Sequence, residues 1–276
     1  VKVDGIGITT PATFNWTVGS THTIEALSPV AGPANTRYVW TSWSDSGAQT
    51  HIYTVPTTSE TVTANYKTQY YLTVQSAYGT VSGTGWYDAG SQATFSVSPT
   101  TVPSGTRIQY VFTGWSGSGS GSYSGSSSSY TITMNNPITE TANWKTQYYL
   151  TVTGGGSATG QGWYDEGSTA EATSLYVWGE TSGSRYSLVS WLLDGVTKPL
   201  VRASSGTFIT AIFMNTYHTV TFNSVVQYYL TLNAPSYASP TGQGWYDAGT
   251  QASFSTNSPI SGGTGTQYVF TGWTGD

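Results

Sequence analysis

Three aspartates first suggest chemistry, because they recur with the same neighbours. Each follows Gly-Trp-Tyr and precedes a glycine by two residues; they are Asp88, Asp165 and Asp247. A recurring carboxylate could bind Ca²⁺, but Ca²⁺ takes roughly six to eight oxygen ligands, usually from several acids close together. An aspartate before a tight turn can instead satisfy its own backbone. Because each carboxylate stands alone, we predict turn residues and no metal site, and we interpret Asp4, Asp45 and Asp194 in the same way.

Other catalytic constellations are missing from the sequence. Asp45-Ser46-Gly47 has the short signature of an aspartic protease, but the chain has no second such triplet to share a proton with it. His22, His51 and His218 lack the spacing of a zinc site. There is no Cys, no Gly-x-Ser-x-Gly elbow and no phosphate-binding loop. We therefore expect no enzymatic activity, no cofactor and no metal.

The aromatic residues beside the three recurring aspartates admit two roles. Each aspartate follows a Trp-Tyr pair, which gives Trp86, Tyr87, Trp163, Tyr164, Trp245 and Tyr246. These rings could pack in the core or between domains, or they could form a repeated stacking platform for sugar rings. Trp115 and Trp144 are expected in the core, since aromatic burial dominates the energetics of small domains.

One modification site is indicated. Asn15-Trp16-Thr17 is the single Asn-x-Ser/Thr acceptor without an intervening proline. If the protein is exported, Asn15 is a candidate for N-glycosylation.

The whole chain is organised by internal repetition. Gln69-Tyr70-Tyr71-Leu72-Thr73-Val74 returns as Gln147–Val152 and, with a final leucine, as Gln227–Leu232, at spacings of 78 and 80 residues. A fixed period of this size predicts an array of one small folding unit. We divide the 276 residues into four repeats, of which the last is incomplete and lacks its final strands: 1–67, 68–145, 146–225 and 226–276.

Each repeat is predicted to hold about five strands and no helix. In the second repeat, Ala93, Phe95 and Val97 alternate with polar residues and are expected on one buried face. Asp194-Gly195 predicts a hairpin turn in the third repeat. The Gly/Ser tract 116–129 is predicted to be a flexible surface loop. The fold class is therefore all-β: an elongated tandem array of small β-domains joined by linkers of a few residues.

Composition limits the partners. Only 8% of residues are charged, the net charge is −5, and no basic stripe with interleaved aromatics exists, so nucleic-acid binding is not expected. No run of 18 apolar residues appears, so no membrane span is expected. Because few groups titrate, we also expect the protein to lose little stability in acid.

The order of motifs within a repeat resembles the divergent internalin-type B repeats of bacterial and archaeal surface proteins. The pattern is Trp-Tyr-Asp-x-Gly-Ser, Ala-x-Phe-Ser, Phe-Thr-Gly-Trp-Ser-Gly, Thr-Ile-Thr-Met and Thr-Ala-Asn-Trp. The residues that carry it are Gly90, Phe95, Phe112, Gly114, Trp115, Gly117, Ile132, Met134, Thr141, Ala142 and Trp144, with Phe270, Gly272 and Trp273 in the last repeat. The Lys67–Val74 segment looks particularly like secreted archaeal arrays. The resemblance implies a secreted, stalk-like or adhesive protein without catalytic residues.

These observations predict an extracellular or cell-surface glycoprotein that acts as a stalk, an adhesin, or a component of a filament or S-layer. Its partners would be further copies of itself, other surface proteins or glycans. Self-assembly by strand complementation is one expectation, with the Val1–Ile8 segment as a candidate donor for the open fourth repeat. The alternative is a carbohydrate-binding accessory region of an exported enzyme.

Overall fold

The computed structural model describes residues 1–275, and within them the regular structure consists of strands alone. The all-β prediction is therefore confirmed. No helix in this part of the chain has the length and hydropathy needed to cross a bilayer. The predicted end of the fourth repeat at Asp276 lies outside the described residues.

The strands are numbered in chain order. The first repeat contains β1 (Lys2–Val3), β2 (Ile6–Gly7), β3 (Thr21–Glu25), β4 (Val30–Ala31), β5 (Thr36–Trp43) and β6 (Thr50–Thr54). The second contains β8 (Thr80–Ser82), β9 (Gly85–Asp88), β10 (Gln92–Ser98), β11 (Thr101–Pro103), β12 (Ile108–Ser118) and β13 (Ser129–Thr133). The third contains β15 (Gly156–Thr159), β16 (Gly162–Asp165), β17 (Thr169–Leu175), β18 (Val177–Trp178), β19 (Ser184–Leu193), β20 (Val196–Lys198) and β21 (Thr207–Phe213). The fourth contains β23 (Gly244–Asp247), β24 (Ile260–Ser261) and β25 (Gln267–Tyr268).

Three longer strands cross the predicted repeat boundaries: β7 (Ala64–Ser76), β14 (Ile138–Gly154) and β22 (His218–Leu230). The few residues expected to link neighbouring repeats therefore lie within continuous strands. In β7, no Gly or Pro interrupts the segment; β5 pairs with its residues 64–70, across the boundary, and β9 pairs with residues 69–72. Because both ladders demand extended backbone, the boundary itself becomes strand.

The chain forms two compact units. One consists of Val1–Pro103 with Gln109–Lys145, and the other consists of Ser104–Ile108 with the residues from Thr146 onward. The first unit holds the first two predicted repeats and the second holds the last two, apart from the short loop 104–108. The finer division into four repeats stays a prediction.

The second repeat shows the architecture most clearly. The second half of β7 pairs in parallel with the first half of β14, with Leu72 opposite Ile138. β9 pairs antiparallel with β7, and β10 lies between β8 and β13 in a second sheet. The third repeat follows the same plan, since β14 pairs in parallel with β22 and β17 lies between β15 and β21.

The core of the second repeat lies between its two sheets. Ala93, Phe95 and Val97 are all buried there, which confirms the face predicted from alternation. Phe95 meets Trp115 edge to face at 4.9 Å, a favourable aromatic geometry. Trp144 packs against the same cluster. The predictions for both core tryptophans are thus confirmed.

The Gly/Ser tract 116–129, predicted to be a flexible surface loop, packs in part against the second repeat. Tyr123, in its middle, packs against the core of the second repeat. Trp115 donates from its indole N–H to the carbonyl of Ser127 at 3.0 Å. The Tyr123 ring and the Ser127 carbonyl hold the tract against the repeat.

Two Asp-Gly turns connect neighbouring strands in the structure. Asp194 and Gly195 have φ of 51° and 80° and connect β19 to β20, so the predicted Asp-Gly hairpin is confirmed. Asp4 and Gly5 form an equivalent turn, with φ of 49° and 79°, between β1 and β2.

The Val1–Ile8 segment belongs to the first repeat. β1 pairs with both β2 and β3, with Val3 opposite Ile24, and Val1 and Val3 pack against the core of that repeat. The segment therefore already fills a place in its own sheet, and the prediction that it serves as a free donor strand is wrong.

One backbone position, which recurs as Gly83, Gly160 and Gly242, should tolerate only glycine. Gly83 has φ of +97°, and a Cβ there would lie 2.5 Å from the carbonyl oxygen of Thr94. Gly90 has φ of +81° but open space around it. We expect Gly90→Ala to cost about 1–2 kcal/mol from backbone strain alone, and Gly83→Ala to cost about 1–3 kcal/mol more from the clash.

Urea unfolding of the two variants measures this difference. Equal losses of stability in Gly83→Ala and Gly90→Ala would show that the close approach to Thr94 has no energetic weight.

Candidate functional site

The recurring Gly-Trp-Tyr-Asp motif is built around a tyrosine hydroxyl. Tyr87 donates to the carbonyl of Gly83 at 2.9 Å. The same bond recurs from Tyr164 to Gly160 at 2.8 Å and from Tyr246 to Gly242 at 2.6 Å. Tyr87 and Tyr164 also pack against the cores of their repeats. The tyrosine of the motif therefore fixes the glycine turn that leads into its strand.

The aspartate of the motif reaches beyond its own turn. In the turn itself the Asp88 backbone carbonyl accepts hydrogen bonds from the N–H and the hydroxyl of Ser91. The Asp88 carboxylate instead accepts from the Gln69 amide at 2.6 Å and from the Lys67 ammonium at 2.8 Å. The expectation that the side chain satisfies its own backbone is therefore wrong at Asp88, although the residue does begin a turn.

The first and second repeats are joined by a connected set of polar and aromatic side chains. Arg37, on β5, donates from Nε to Gln69 Oε1 at 2.8 Å, and Gln69 in turn donates to Asp88. The Arg37 guanidinium also lies over the Trp86 ring, 4.4 Å from its centroid. Tyr71 meets the same ring edge to face at 5.1 Å. We call this set the junction cluster.

The third and fourth repeats carry a second junction cluster. Arg185, on β19, donates to Gln227 Oε1 at 2.8 Å, and Gln227 donates to Asp247 at 2.8 Å. The Arg185 guanidinium lies 4.3 Å from the centroid of the Trp245 ring. Tyr229 meets that ring at 5.0 Å. The distances closely match those of the first cluster.

Part of the cluster also recurs at the start of the third repeat, within the second unit. Gln147 donates to Asp165 at 2.7 Å, and Tyr149 meets Trp163 edge to face at 5.1 Å. Trp163 is 37% exposed. The Gln-Asp hydrogen bond and the Tyr-Trp contact are therefore common to all three copies.

The cation that pairs with the aspartate differs between copies. Lys67 supplies it for Asp88, and Lys145 stands at the same place in the second copy, but the third copy has Val225 there. Arg202, from the loop before β21, binds Asp247 with two hydrogen bonds of 2.8 and 2.9 Å. A planar guanidinium suits this two-pronged contact. Arg202 was not predicted from the sequence. The one signal for a different cation was Val225, which stands where the other copies have lysine.

Hydrogen bonds from these cations lower the pKa values of the aspartates that they contact. The hydrogen bond from Lys67, helped by that from Gln69, lowers the pKa of Asp88. The hydrogen bonds from Arg202 lower the pKa of Asp247 to about 2. Both carboxylates are therefore ionised under ordinary conditions.

Each of the three histidines has an aspartate partner, which sequence spacing did not reveal. His22 Nδ1 lies 2.8 Å from Asp4, and His218 Nδ1 lies 2.7 Å from Asp194. In both pairs the aspartate also accepts a backbone N–H from the neighbouring strand. The hydrogen bond from His22 lowers the pKa of Asp4. These pairs anchor the two Asp-Gly turns.

The third histidine lies beside the protease-like triplet. His51 Nε2 is 2.9 Å from Asp45, and Asp45 also accepts the N–H of Gly47 at 3.0 Å. The turn interpretation of Asp45 is confirmed by this second bond. Within residues 1–275, no three histidine or acidic side chains come together in a way that could hold a metal ion.

Glu140 is a buried carboxyl group in the second repeat. It is 0% exposed; Oε1 accepts the N–H of Tyr123 at 2.8 Å, while Oε2 has no hydrogen-bond partner among residues 1–275. Burial raises the pKa of Glu140, and the bond from Tyr123 opposes this without cancelling it. The equivalent positions in the first and third repeats are Val62 and Val220. The carboxyl therefore replaces an apolar residue in this repeat.

The remaining predicted site residues are placed as follows. Asn15 is exposed, between Phe14 and Trp16, whose rings stack at 4.6 Å. Glycosylation of Asn15 stays a prediction. Ligand stacking at the six motif aromatics also stays a prediction, although two of the tryptophan rings already contact a guanidinium.

We expect Arg202→Met to return the pKa of Asp247 toward about 3.9. In the wild-type protein the pair stabilises the fold above that value, and this stability is lost as the pH falls toward the folded pKa. Because both side chains are partly exposed, the loss should be only about 1 kcal/mol. Carboxyl-detected NMR measures the pKa directly. Lys67→Met is the matched control and should leave Asp247 unchanged; an unshifted Asp247 in Arg202→Met would contradict the assignment.

The opposite pH dependence is expected at Glu140. Its raised pKa means that the folded state holds the proton more tightly, so stability is greatest below the unfolded value of about 4.3 and falls as the pH rises through the folded value. Glu140→Val should remove this fall. Hydrogen exchange of second-repeat peptides, corrected for intrinsic rates, measures it at pH 4 and pH 8.

Glu171→Val is the matched control for this experiment, because Glu171 is an exposed glutamate on β17. The same pH dependence in wild type and Glu140→Val would show that Glu140 does not hold a proton in the folded state.

Comparison with known proteins follows the repeat structure. Residues 70–147 match the family model of the divergent InlB B-repeat domain. No curated protein and no solved structure gives a significant match to the chain. This family is typically surface-associated in bacteria. The resemblance seen in the sequence is confirmed for this segment: residues 70–147 are similar to the divergent InlB B-repeat domain.

Proposed function

We propose that the protein is a structural spacer at the cell exterior, in which the repeats hold a fixed geometry instead of carrying out a reaction. The junction cluster is the observation that carries this proposal. It occurs once within each compact unit with nearly the same distances, although the basic residue that completes it comes from different places. Such recurrence suits a mechanical role, because a catalytic site is normally assembled once.

The junction cluster resists bending in two ways. The strand that crosses the boundary pairs on both sides of it, so a hinge would have to break ladder hydrogen bonds. The Arg37 guanidinium then ties the strand of one repeat to the Gln69 and Trp86 side chains of the next. A cation over an aromatic ring adds about 0.5–2 kcal/mol, depending on exposure.

The composition and the family support an exterior location. The surface-associated family and the low charge content both fit a secreted stalk, adhesin, filament or S-layer component. Further copies of the chain, other surface proteins or glycans would be its partners. Export, glycosylation and an archaeal source stay predictions. Within the proposal the chain has no catalytic role, since the carboxylates with shifted pKa serve turns, junctions or a core.

Self-assembly by strand complementation stays a prediction.

Electron–electron double resonance on the full chain tests the rigidity. Since the chain has no Cys, labels can be placed at Thr54→Cys and Thr133→Cys, two exposed strand positions on either side of the first junction. We expect a narrow distance distribution that broadens when Arg37→Lys removes the Nε donor and the planar contact with Trp86.

Arg185→Lys provides the matched control, because it alters the other junction cluster. It should leave the distribution of this label pair unchanged. A broad distribution in the unaltered protein would mean that the repeats hinge freely, and the spacer proposal would fail.

A further inference from the structure

Tyrosine is abundant in this chain, and some of its rings are unusually close. There are 21 tyrosines and no Cys. Most aromatic pairs in proteins have centroids roughly 4.5–7 Å apart and avoid a face-to-face sandwich. Two pairs stack at 3.7 Å with interplanar angles of 9° and 13°: Tyr78 with Tyr110, and Tyr123 with Tyr130.

The Tyr78–Tyr110 pair is aligned as well as close. Interaction with the Tyr110 phenol raises the pKa of Tyr78. With the ring centroids 3.7 Å apart and the planes within 9° of parallel, carbons of one ring lie directly against carbons of the other. Trp144 meets Tyr78 edge to face at 5.8 Å and helps to hold it in place.

The two residues lie far apart in sequence and are brought together by the fold. Tyr78 follows β7, and Tyr110 lies in β12. Both are half-buried, so an oxidant can reach the edge of the pair. The arrangement recurs in the fourth repeat, where Tyr237 stacks on Tyr268 at 4.1 Å and 13°. Its recurrence indicates that the repeat itself brings the rings together.

We propose that Tyr78 and Tyr110 are a site of intramolecular dityrosine cross-linking. A haem peroxidase with hydrogen peroxide would remove one electron and one proton from each phenol. The two phenoxyl radicals then join through their ortho carbons, and the hydrogens on those two carbons move as protons to the two oxygens, which restores both phenols. The balanced change is two tyrosines and one hydrogen peroxide giving one dityrosine and two waters.

The cross-link would give this chain, which has no Cys, a covalent connection of the kind that disulfides provide in other proteins. Joining residues 78 and 110 closes a loop across the second repeat, and it would stabilise the fold by restricting the unfolded chain. The proposal is independent of the spacer function, because the pair lies within one repeat and takes no part in the junction cluster.

Peroxidase and hydrogen peroxide applied to the dilute full-length protein test the proposal. We expect dityrosine fluorescence in the monomer, a mass lower by two hydrogen atoms, and a linked peptide that joins Tyr78 to Tyr110. The linked protein should also melt at a higher temperature than the untreated protein.

Two variants make the result specific. Tyr110→Phe keeps the ring but removes the phenol, so the linked peptide should be lost. Tyr130→Phe, which alters the other closely stacked pair, should leave it in place. Absence of dityrosine, dityrosine confined to covalent dimers, or linkage at other tyrosines without the Tyr78–Tyr110 peptide would each overturn the proposal.

Discussion

The hydrogen bond from a strand glutamine to the aspartate of Gly-Trp-Tyr-Asp is the constraint on which the repeat depends. It is 2.6, 2.7 and 2.8 Å long in its three copies. This hydrogen bond explains why the Gln-Tyr-Tyr-Leu-Thr and Gly-Trp-Tyr-Asp motifs recur together. The glutamine and the aspartate must meet across β7 and β9, Tyr71 must support Trp86, and Tyr87 must hold the glycine turn. Changing one of these residues removes a contact on which the others rely.

Charge is scarce in this protein, and much of it is placed where repeats meet. Arg37, Lys67, Arg185 and Arg202 are half of the eight basic residues, and all four serve a junction cluster. A surface ion pair alone adds little stability. Here the cations also donate to a shared carboxylate or amide or cover a ring, so geometry is fixed by several contacts at once. A low charge content therefore does not mean that charge is unimportant.

What the sequence could predict was local. Alternation placed Phe95 in the core, and Asp-Gly placed the turn at Asp194, because each depends on neighbours within a few residues. The partner of Asp88 could not be predicted, since Gln69 lies 19 residues away, and Arg202 lies 45 residues from Asp247. The boundaries became strand because of pairing with distant segments. Such contacts arise only when strands are brought together, and a single sequence does not contain them.

The opposed shifts of the carboxyl groups change the expected response to pH. Low charge content suggested general tolerance of acid, but Asp88 and Asp247 stabilise the junctions only while ionised, since their pKa values are lowered. Glu140 lies inside a repeat with a raised pKa, and it favours the fold when protonated. Acid should therefore weaken the contacts between repeats while the second repeat keeps its own interior. Acid would therefore weaken the junction clusters before it weakens the cores of the repeats that they connect.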